Sequence, residues 1–505
     1  MEEGQYREIC KTCDEILMDD SSGIACTAIP FLHIIREHPV FLINYNSLFN
    51  RVSGFKTLIK DLYLITRSVA GLVKRLLFSE KKYFWETYQN KGSQFDLIIV
   101  SHLISEIHVG RDQDFYFGNI PHELISKGNS VLLVLMNHTS KNAKDLAEKW
   151  NGNKVPVVIL SDSLGMVKEL GLVWSVLKEA IRLKKYSFNQ RLLKRKLVSR
   201  ASVEVLSGRT IGTLRMYWQL QSIVSLAKPK AILVTFEGHA WERLAFAAAR
   251  SVEPGCKCLA YQHAAIFRVQ HAIRRKLKPK YNPDLIFTSG TVSRNQLVQS
   301  SEFSESEVLV LGSDRGINEI GMRVQMRSTD PIRHACLVLP EGIESECLLL
   351  FNFALECAIN CPDLVFIWRL HPILSFKTLI DNNPSLRDLP PNITLSSDSI
   401  ETDFTVSKWV LYRGTTAVVK AIGEGIKPVY LAFNGEMTID PLYELNEWHE
   451  SVLNPIEMKA LLYADKDKTN SEFFSGYEGA RNYCRNFYNP VSVTTLSSTI
   501  KSGSI

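Results

Sequence analysis

Three short polar motifs in the second half of the sequence combine residue types that bind phosphate. Glycine lets a ligand approach the backbone closely, hydroxyl and free N–H groups donate hydrogen bonds to phosphate oxygens, and histidine or arginine can pair with the negative charge. Each motif directly follows an apolar run, and together they predict a site for a phosphorylated ligand. The motifs are Glu341-Gly342, His371-Pro372 and Arg413-Gly414-Thr415-Thr416, and Gly312, after the apolar run 308–311, is assigned to the same predicted site.

A fourth motif lies in the first half, where the apolar run 231–236 leads directly into Glu237-Gly238-His239. A carboxylate can take the proton from an attacking hydroxyl group when partial burial raises its pKa. Glu237 is therefore the first candidate for a general base, and His239 and His263 are the alternatives. The sequence also allows Glu237 to cap the helix that follows, so both interpretations stay open.

These motifs can meet only if parallel strands bring them to one edge of a sheet. The runs 95–100, 130–136 and 155–160 are nearly continuous Val, Ile and Leu, which is typical of strands buried on both faces of a parallel sheet. Two of these runs lead into His138 and Asp162, which are reserve candidates for the base. Ligands of open α/β sheets bind beyond the carboxyl ends of the strands. The sequence therefore predicts an α/β protein of two doubly wound, Rossmann-like domains that face each other across a cleft.

Pattern and composition divide the chain into four predicted regions. Residues 328–331 form a turn-rich cluster, and we place the linker between the two domains at 315–332. The regions are a helical part at 1–90 that packs on the first domain, a first Rossmann-like domain at 91–325, a second at 333–465, and helices with a polar tail at 466–505 that can cross back to the first domain.

The bulk composition is that of an ordinary globular protein, with 505 residues of which 45% are hydrophobic and 22% charged. The net charge of +6 is small for this length and does not indicate nucleic-acid binding. The N-terminus has no apolar segment typical of a secretory signal, and no apolar run is long enough to span a membrane. We therefore expect a cytoplasmic protein without a nucleic-acid partner.

The ten cysteines do not predict a metal site. Cys10 and Cys13 form a C-x-x-C pair and Cys256 and Cys258 a C-x-C pair, but neither has a second pair at the spacing of a zinc site. We expect reduced thiols, no bound metal and no resident cofactor.

The most uneven charge in the sequence lies between residues 178 and 200, where nine basic residues accompany one acid, Glu179. Ordinary protein surfaces mix both signs of charge. The stretch is either a solvated helix face or a contact for an anionic acceptor or the anionic surface of a membrane, at the inner face of the cytoplasmic membrane. The candidate contact residues are Lys184, Lys185, Arg191, Lys194, Arg195 and Lys196.

The second half of the sequence resembles the nucleotide-binding domain of GT-B glycosyltransferases that use CMP-activated acidic sugars. That family includes bacterial sialyltransferases and the Kdo transferases of capsule and lipopolysaccharide biosynthesis. In those enzymes the His-Pro motif contacts the CMP phosphate, and a hydroxyl pair, more often two serines, binds the same nucleotide. Residues 236–241 and 261–263 more loosely resemble proteins of bacterial surface-carbohydrate biosynthesis. The resemblance covers about residues 335–432 and is carried by Glu341-Gly342, His371-Pro372 and Thr415-Thr416.

The resemblance implies a metal-independent glycosyltransferase that moves a ulosonic or nonulosonic acid from a CMP-sugar onto a surface glycan or a lipid-linked glycan. The first domain would then hold the acceptor and the base, and the second domain the nucleotide sugar. Two alternatives keep the fold and change the chemistry: a CDP-glycerol-type polyol-phosphate transferase and a UDP-sugar 2-epimerase. A non-catalytic protein that binds a nucleotide or a glycan is the alternative of another class.

Overall fold

The computed structural model describes residues 1–46, 48–49, 59, 62–63, 66–71, 73, 94–111, 113–150, 155–316 and 334–501. Two wholly parallel sheets carry the fold of these residues, one of seven strands in the first half of the chain and one of six in the second. Parallel pairing requires a crossover between successive strands, and helices supply most of these crossovers. The predicted class, an α/β protein with two doubly wound, Rossmann-like domains, is confirmed by the two sheets.

The first sheet has the strand order β3-β2-β1-β4-β5-β6-β7. In β1, Ile98 and Val100 pack in one apolar cluster, whereas Leu97 and Ile99 pack in a second one. Alternate residues of a strand point to opposite faces, so a strand that is covered on both sides must be apolar throughout. This explains the unbroken apolar runs. The strands are β1 (Leu97–Leu103), β2 (Val131–Asn137), β3 (Val157–Ile159), β4 (Ala231–Thr235), β5 (Lys257–Gln262), β6 (Leu285–Thr288) and β7 (Val308–Val310).

The second sheet has the strand order β10-β9-β8-β11-β12-β13 and an apolar core of its own. Trp368 stacks on Phe351 with the ring centroids 4.3 Å apart, which joins the sheet to the helix Glu344–Asn360. The strands are β8 (Ala335–Leu339), β9 (Val365–Trp368), β10 (Ile393–Leu395), β11 (Ser407–Tyr412), β12 (Lys427–Leu431) and β13 (Glu450–Val452).

Helices cover both sheets. Those of the first half are Glu3–Met18, Ile24–Thr27, Pro39–Asn46, Ile120–Ser126, Ala143–Glu148, Met166–Ser187, Leu192–Glu204, Gly208–Ala227, Ala240–Val252 and Thr291–Ser300. Those of the second half are Glu344–Asn360, Phe376–Asn382, Ile400–Val406, Ala417–Gly423, Pro455–Lys466, Asn470–Phe473, Tyr477–Phe487 and Val493–Lys501. Short 3₁₀ turns lie at Pro30–Leu32, Glu106–His108, Pro279–Tyr281, Glu305–Glu307 and Pro384–Leu386.

In both sheets the order of strand addition reverses at one place. After β1, β2 and β3 the chain returns to add β4 on the other side of β1, and after β8, β9 and β10 it returns to add β11 beside β8. The connections that leave two such strands run to opposite faces of the sheet, which opens a crevice at the carboxyl edge. Residues that follow β1 and β4 border the first crevice, and residues that follow β8 and β11 border the second.

Both ends of the described chain pack on the first domain. Asp14 in the first helix pairs with His271 at 2.5 Å. Near the other end, the N–H of Ser313 donates to the carbonyl of Asn489 at 2.8 Å, and the helix Val493–Lys501 lies against the first sheet's apolar core. The chain therefore runs from the first domain to the second and back.

All ten cysteines are buried free thiols, and burial raises the pKa of the Cys10 thiol to about 12. None of the described helices is both long and apolar enough to cross a bilayer. The predicted domain boundaries stay predictions. Most of the predicted linker at 315–332 lies outside the described residues, as do residues 74–90 of the predicted N-terminal region, residues 91–93 of the predicted first domain and the last four residues of the tail.

Gly312 lies where the C-terminal segment packs closely against the first sheet. Its φ is +90°, and a Cβ at this position would lie 2.2 Å from the carbonyl oxygen of Pro490. We expect Gly312→Ala to lower the free energy of unfolding by about 2 kcal/mol or more, because it adds backbone strain and a clash with backbone. Urea unfolding measures the change.

Gly171→Ala is the matched control, because a Cβ at Gly171 in the helix Met166–Ser187 would meet open space. It should leave stability unchanged or raise it by up to about 1 kcal/mol. Equal stabilities of the two variants would contradict the close packing at Gly312.

Candidate active site

Glu237 follows the end of β4, at the point where the first sheet reverses its strand order. Its side chain is only 12% exposed, and Oε2 accepts a hydrogen bond from the Arg36 guanidinium at 2.6 Å. Nε2 of His239 lies 3.7 Å from Oε2, and Nε2 of His263 lies 3.8 Å from Oε1. The structure thus brings together the three residues considered as bases and adds Arg36, which the sequence did not indicate.

Glu242, in the first turn of the helix Ala240–Val252, caps that helix. Its carboxylate accepts hydrogen bonds from the N–H groups of Glu237, Gly238 and His239 at 2.7–3.0 Å. A carboxylate at this position satisfies N–H groups that would otherwise lack a partner. The capping role left open for Glu237 is therefore taken by Glu242, and the carboxylate of Glu237 faces Arg36 and two imidazoles.

The charges around Glu237 set its protonation state. Burial by itself raises the pKa of this carboxyl, but Arg36, His239 and His263 together hold the pKa well below its usual value of 4.5. The expectation that partial burial raises the pKa of Glu237 is therefore wrong. Desolvation lowers the pKa of His239, but the carboxylates of Glu237 and Glu242 together outweigh it and raise that pKa above 6.5. Burial lowers the pKa of His263 to about 4.

Further imidazoles and a phenol extend the site along the same edge. His102, near the end of β1, has its Nδ1 2.8 Å from Nε2 of His138. Burial and the neighbouring His138 lower the pKa of His102 to about 3, so its ring is neutral. The ring of Tyr116 lies 4.5 Å from that of His263, centroid to centroid. His138 was a reserve candidate, whereas His102 and Tyr116 were missed; the place of His102 at the end of an apolar run was the available signal. Asp162, the other reserve candidate, is exposed.

The second crevice is lined by residues that follow β8, β9 and β11. The N–H of Gly414 donates to Oε1 of Glu341 at 3.1 Å, across the reversal point. A Cβ on Gly342 would lie 2.9 Å from Nδ1 of His371, and a Cβ on Gly414 would lie 2.5 Å from Oε1 of Glu341. A side chain at either position would have to displace the imidazole of His371 or the carboxylate of Glu341. Four of the predicted nucleotide contacts, Glu341, Gly342, His371 and Gly414, thus share one surface.

Arg413 points into the protein and away from this surface. Its guanidinium donates to Glu346 at 2.8 Å, to Glu436 at 2.9 Å and to the carbonyl of Leu431 at 3.0 Å, and its side chain is 2% exposed. Two carboxylates already neutralise the charge that a phosphate would need. The predicted phosphate contact of Arg413 is therefore corrected to a structural role.

The hydroxyl pair of the same motif is accessible. Thr415 and Thr416 are both partly exposed, and Pro372 is exposed. The Thr415 hydroxyl accepts a hydrogen bond from the N–H of Ala417 at 3.3 Å. The side chain of Thr416 makes no capping bond to the helix Ala417–Gly423. Both hydroxyl groups are therefore available to a ligand.

Gly312 lies elsewhere, after the edge strand β7 of the first sheet. It contacts the backbone of Pro490, and its carbonyl accepts a hydrogen bond from the hydroxyl of Tyr261 at 2.8 Å. Its lack of a side chain makes room for the returning C-terminal segment. The nucleotide contact predicted for Gly312 is corrected accordingly.

Residues 36–38 join the two crevices, and we call them the bridging segment. They lie directly before the helix Pro39–Asn46. Arg36 binds Glu237 of the first crevice, as described above. His38 is buried, and its Nε2 lies 3.4 Å from Oε1 of Glu341 in the second crevice. One short piece of chain therefore contacts a carboxylate at the reversal point of each sheet.

Hydrogen bonds from the N–H groups of Val40 and Val269 hold the bridging segment in place. The N–H of Val40 donates to Nδ1 of His38 at 3.2 Å, so a neutral ring carries its proton on Nε2 and donates it to Glu341. Glu37 accepts a hydrogen bond from the N–H of Val269 at 2.8 Å, and burial raises the pKa of its carboxyl. These contacts fix the orientation of His38 and of the residues beside it.

One group of described residues has the spacing of a metal site. The ligand atoms of His38, Glu341 and Glu346 lie within 4.8 Å of one another. Arg413 already pairs with Glu346, and the N–H of Gly414 with Glu341. A divalent cation would have to compete with both partners, and metal independence stays a prediction.

The six basic candidates for contact with an acceptor or a membrane fall into two groups. Lys194 pairs with Glu15 at 3.4 Å, and Lys196 donates to the carbonyl of Leu48 at 2.5 Å. These two lysines anchor the helix Leu192–Glu204 to the N-terminal region. The other four are exposed and have no acidic partner in the described part of the chain: Lys184, Lys185, Arg191 and Arg195.

No protein-family model and no curated protein matches this sequence. Several solved structures are similar to it. The glycosyltransferase of kitacinnamycin is 11% identical with a TM-score of 0.47, over 81% of this chain and 99% of that one. MurG from Acinetobacter baumannii is 11% identical with a TM-score of 0.45, over 81% and 99%. The UDP-GlcNAc 2-epimerase from Neisseria meningitidis bound to UDP-GlcNAc is 13% identical with a TM-score of 0.42, over 80% and 98%. At these values the likeness concerns the fold alone.

The contact between Arg36 and Glu237 has a measurable consequence for stability. We expect Arg36→Met to lower the free energy of unfolding at neutral pH by about 2–4 kcal/mol, because a buried carboxylate loses its nearest cation. A carboxyl whose folded pKa lies below its unfolded value of 4.5 stabilises the protein above that pH, and this stability is lost as the pH falls through the folded value. In Arg36→Met the pKa of Glu237 rises, so the loss on acidification becomes smaller. Urea unfolding as a function of pH measures both effects.

Arg7→Met is the matched control, because Arg7 pairs with Glu3 at 2.7 Å on an exposed helix face. Exposed pairs of this kind contribute less than about 0.5 kcal/mol. Adding Glu237→Gln to Arg36→Met should recover part of the lost stability. Equal effects of Arg36→Met and Arg7→Met would refute the coupling.

Proposed function

We propose that this protein is a glycosyltransferase that moves an acidic sugar from a CMP-linked donor to a hydroxyl group of a surface glycan. The observation that carries the proposal is that one bridging segment contacts both reversal-point crevices. The first crevice supplies a proton acceptor beside Glu237, and the second supplies groups that suit a nucleotide. Group transfer needs both functions within reach of one pair of substrates.

The second crevice favours a cytidine nucleotide. The carboxylate of Glu341 only accepts hydrogen bonds, so it can bind ribose hydroxyls or the amino group of cytosine. Uracil presents an oxygen at the same ring position, which a carboxylate would repel. His371 and the hydroxyls of Thr415 and Thr416 are the groups proposed for the phosphate. The nucleotide sugar is a substrate in this proposal, and no resident cofactor is required.

Arg36 supports an acidic sugar. Its guanidinium has five N–H groups, and the described structure uses one of its nitrogen atoms to bind Glu237. The side chain is 27% exposed, so the remaining N–H groups can reach a ligand in the first crevice. A bidentate pair with a sugar carboxylate is the strongest contact that such a group can make.

In the proposed reaction the acceptor hydroxyl oxygen attacks the anomeric carbon of the donor. The bond from that carbon to the phosphate oxygen breaks, and its electron pair leaves with CMP. The hydroxyl proton goes to the imidazole of His239, whose side chain is 40% exposed and whose pKa is raised by the carboxylates of Glu237 and Glu242. Glu237 stabilises the imidazolium that forms, and Arg36 orients Glu237. Glu237 itself and His263 are the alternative bases.

The nucleotide preference tests the donor. We expect CMP to raise the melting temperature more than UMP or GDP at equal concentration, because a ligand stabilises the state that it binds. Glu341→Gln should reduce the preference for CMP over UMP by about tenfold, because an amide can donate to the uracil oxygen. Repeating the titration with EDTA and with Mg²⁺ tests metal independence.

Glu344→Gln is the matched control for this titration, because Glu344 is exposed at the start of the helix Glu344–Asn360. It should leave the preference for CMP unchanged. Equal shifts of the melting temperature with all three nucleotides would contradict the proposal that the donor is a CMP-sugar. The same titration is extended to UDP and CDP-glycerol. A preference for UDP would favour the 2-epimerase, and a preference for CDP-glycerol would favour the polyol-phosphate transferase.

The pH dependence of transfer tests the base. Activity should fall as the pH drops through the pKa of His239, because the base must be unprotonated. Glu237 raises that pKa, so Glu237→Gln should move the acid limb to lower pH and reduce kcat by at least about tenfold. His239→Gln should reduce kcat by about 10²–10⁴-fold. The assay is release of CMP from CMP-Kdo or CMP-N-acetylneuraminic acid, with water in place of the acceptor hydroxyl.

His122→Gln, on the helix Ile120–Ser126, is the control and should keep the wild-type profile. An unchanged acid limb in Glu237→Gln would show that Glu237 does not act on the base. If folded wild-type protein binds CMP and releases none from either donor, the non-catalytic alternative is favoured.

A further inference from the structure

The helix Met166–Ser187, the longest in the described chain, presents an apolar face to solvent. Its buried residues, among them Leu172, Val176 and Leu183, lie on one side. On the opposite side apolar residues recur every three or four positions, a spacing that aligns side chains on one helix face. They are between 41% and 82% exposed, and we call them the apolar face: Met166, Val167, Leu170, Trp174, Leu177 and Ile181.

The exposed apolar surface continues past the end of the helix with Phe188 and Leu192, which are also exposed. A surface helix normally turns charged and polar residues to water and apolar residues to the core. Here the helix buries one apolar side and exposes a second. Contiguous exposed apolar patches of this kind mark contact surfaces.

Cations border the apolar face. Lys178 lies over the ring of Trp174 at 5.0 Å. Lys184 and Lys185 follow Ile181 by three and four positions, so they share its side of the helix. Beyond the helix, Arg191 and Arg195 add two exposed cations.

The two acidic residues of this helix lie on its buried side. Glu169 is buried against Arg215 at 2.5 Å, and Glu179 is buried and pairs with Arg182 at 2.6 Å. Between residues 166 and 195 the exposed surface around the apolar face therefore carries positive charge alone. That charge selects for a negatively charged partner.

We propose that the apolar face docks on the surface of an anionic lipid bilayer. Apolar side chains would insert at the level of the headgroups, and the lysine stems would extend so that their ammonium groups reach the lipid phosphates. A second copy of the chain is a poorer occupant. A two-fold interface would bring two surfaces of the same positive charge together.

The position of the helix connects this surface with the candidate site. The helix begins shortly after β3, so its first turn lies toward the carboxyl edge of the first sheet. Glu237 follows β4 at the same edge. Docking would turn that edge toward the membrane, where a lipid-linked acceptor would reside. This last step depends on the proposed function, whereas the docking itself does not.

Flotation with lipid vesicles tests the docking on the full chain without any nucleotide. We expect binding to vesicles that contain phosphatidylglycerol, weaker binding as salt rises, and little binding to phosphatidylcholine alone. The triple variant Leu170→Ser/Trp174→Ser/Ile181→Ser should bind at least about tenfold more weakly, because it removes apolar area. Lys184→Gln/Lys185→Gln should bind phosphatidylglycerol vesicles at least about tenfold more weakly.

Ile359→Ser/Ile456→Ser is the matched control, because both residues are highly exposed on the second domain. It should bind as the wild type does, and circular dichroism melting confirms that every variant is folded. Failure of the wild type to bind phosphatidylglycerol vesicles, or wild-type binding by the triple variant, overturns the proposal. A concentration-dependent dimer that the triple variant loses, without vesicle binding, would identify a protein interface. None of these outcomes depends on the CMP titration.

Discussion

Every strand of a parallel sheet delivers its carboxyl end to the same edge, and a sheet whose order of strand addition reverses leaves a crevice at one point of that edge. Both sheets of this protein are built in this way. Several of the residues singled out from the sequence, among them Glu237, Glu341 and Gly414, lie at these two points because parallel pairing brings the carboxyl ends of the strands to one edge. Glu237 follows the strand on one side of the first reversal, and the contact between Glu341 and Gly414 spans the second.

The carboxylates of Glu237 and Glu341 at these two points are paired with side chains from outside the sheets. A carboxylate as buried as Glu237 would be too costly to ionise if it were left alone, and its own sheet supplies only imidazoles. The guanidinium comes from the N-terminal region, which packs on the first domain through contacts such as that between Asp14 and His271. The two residues after Arg36 bring His38 to Glu341. The N-terminal region is therefore part of the site's electrostatics as well as of the first domain's packing.

Local signals in the sequence were sufficient to predict the strands, the helices and the positions of most motifs. Apolar periodicity and strand-end residues can both be recognised within a few neighbouring positions. The capping carboxylate of Glu242 was also within reach, since it stands three residues after the helix N-cap, His239. Arg36 and His38 were not, because their partners lie 201 and 303 positions away along the chain. The inward turn of Arg413 depends on Glu346 and Glu436, which no local pattern connects to it.

Packing divides the basic residues between 178 and 200 into those with structural partners and those that stay exposed, a division that the sequence alone does not show. Lys194 forms an ion pair with Glu15, and Lys196 donates a hydrogen bond to a backbone carbonyl. These contacts attach the helix Leu192–Glu204 to the N-terminal region. Exposed cations remain on the helix that carries the apolar face, where the neighbouring acids Glu169 and Glu179 are buried in ion pairs. The exposed apolar side chains gain free energy when they leave water, and the exposed cations beside them attract anionic lipid headgroups. An anionic bilayer therefore suits both parts of this surface.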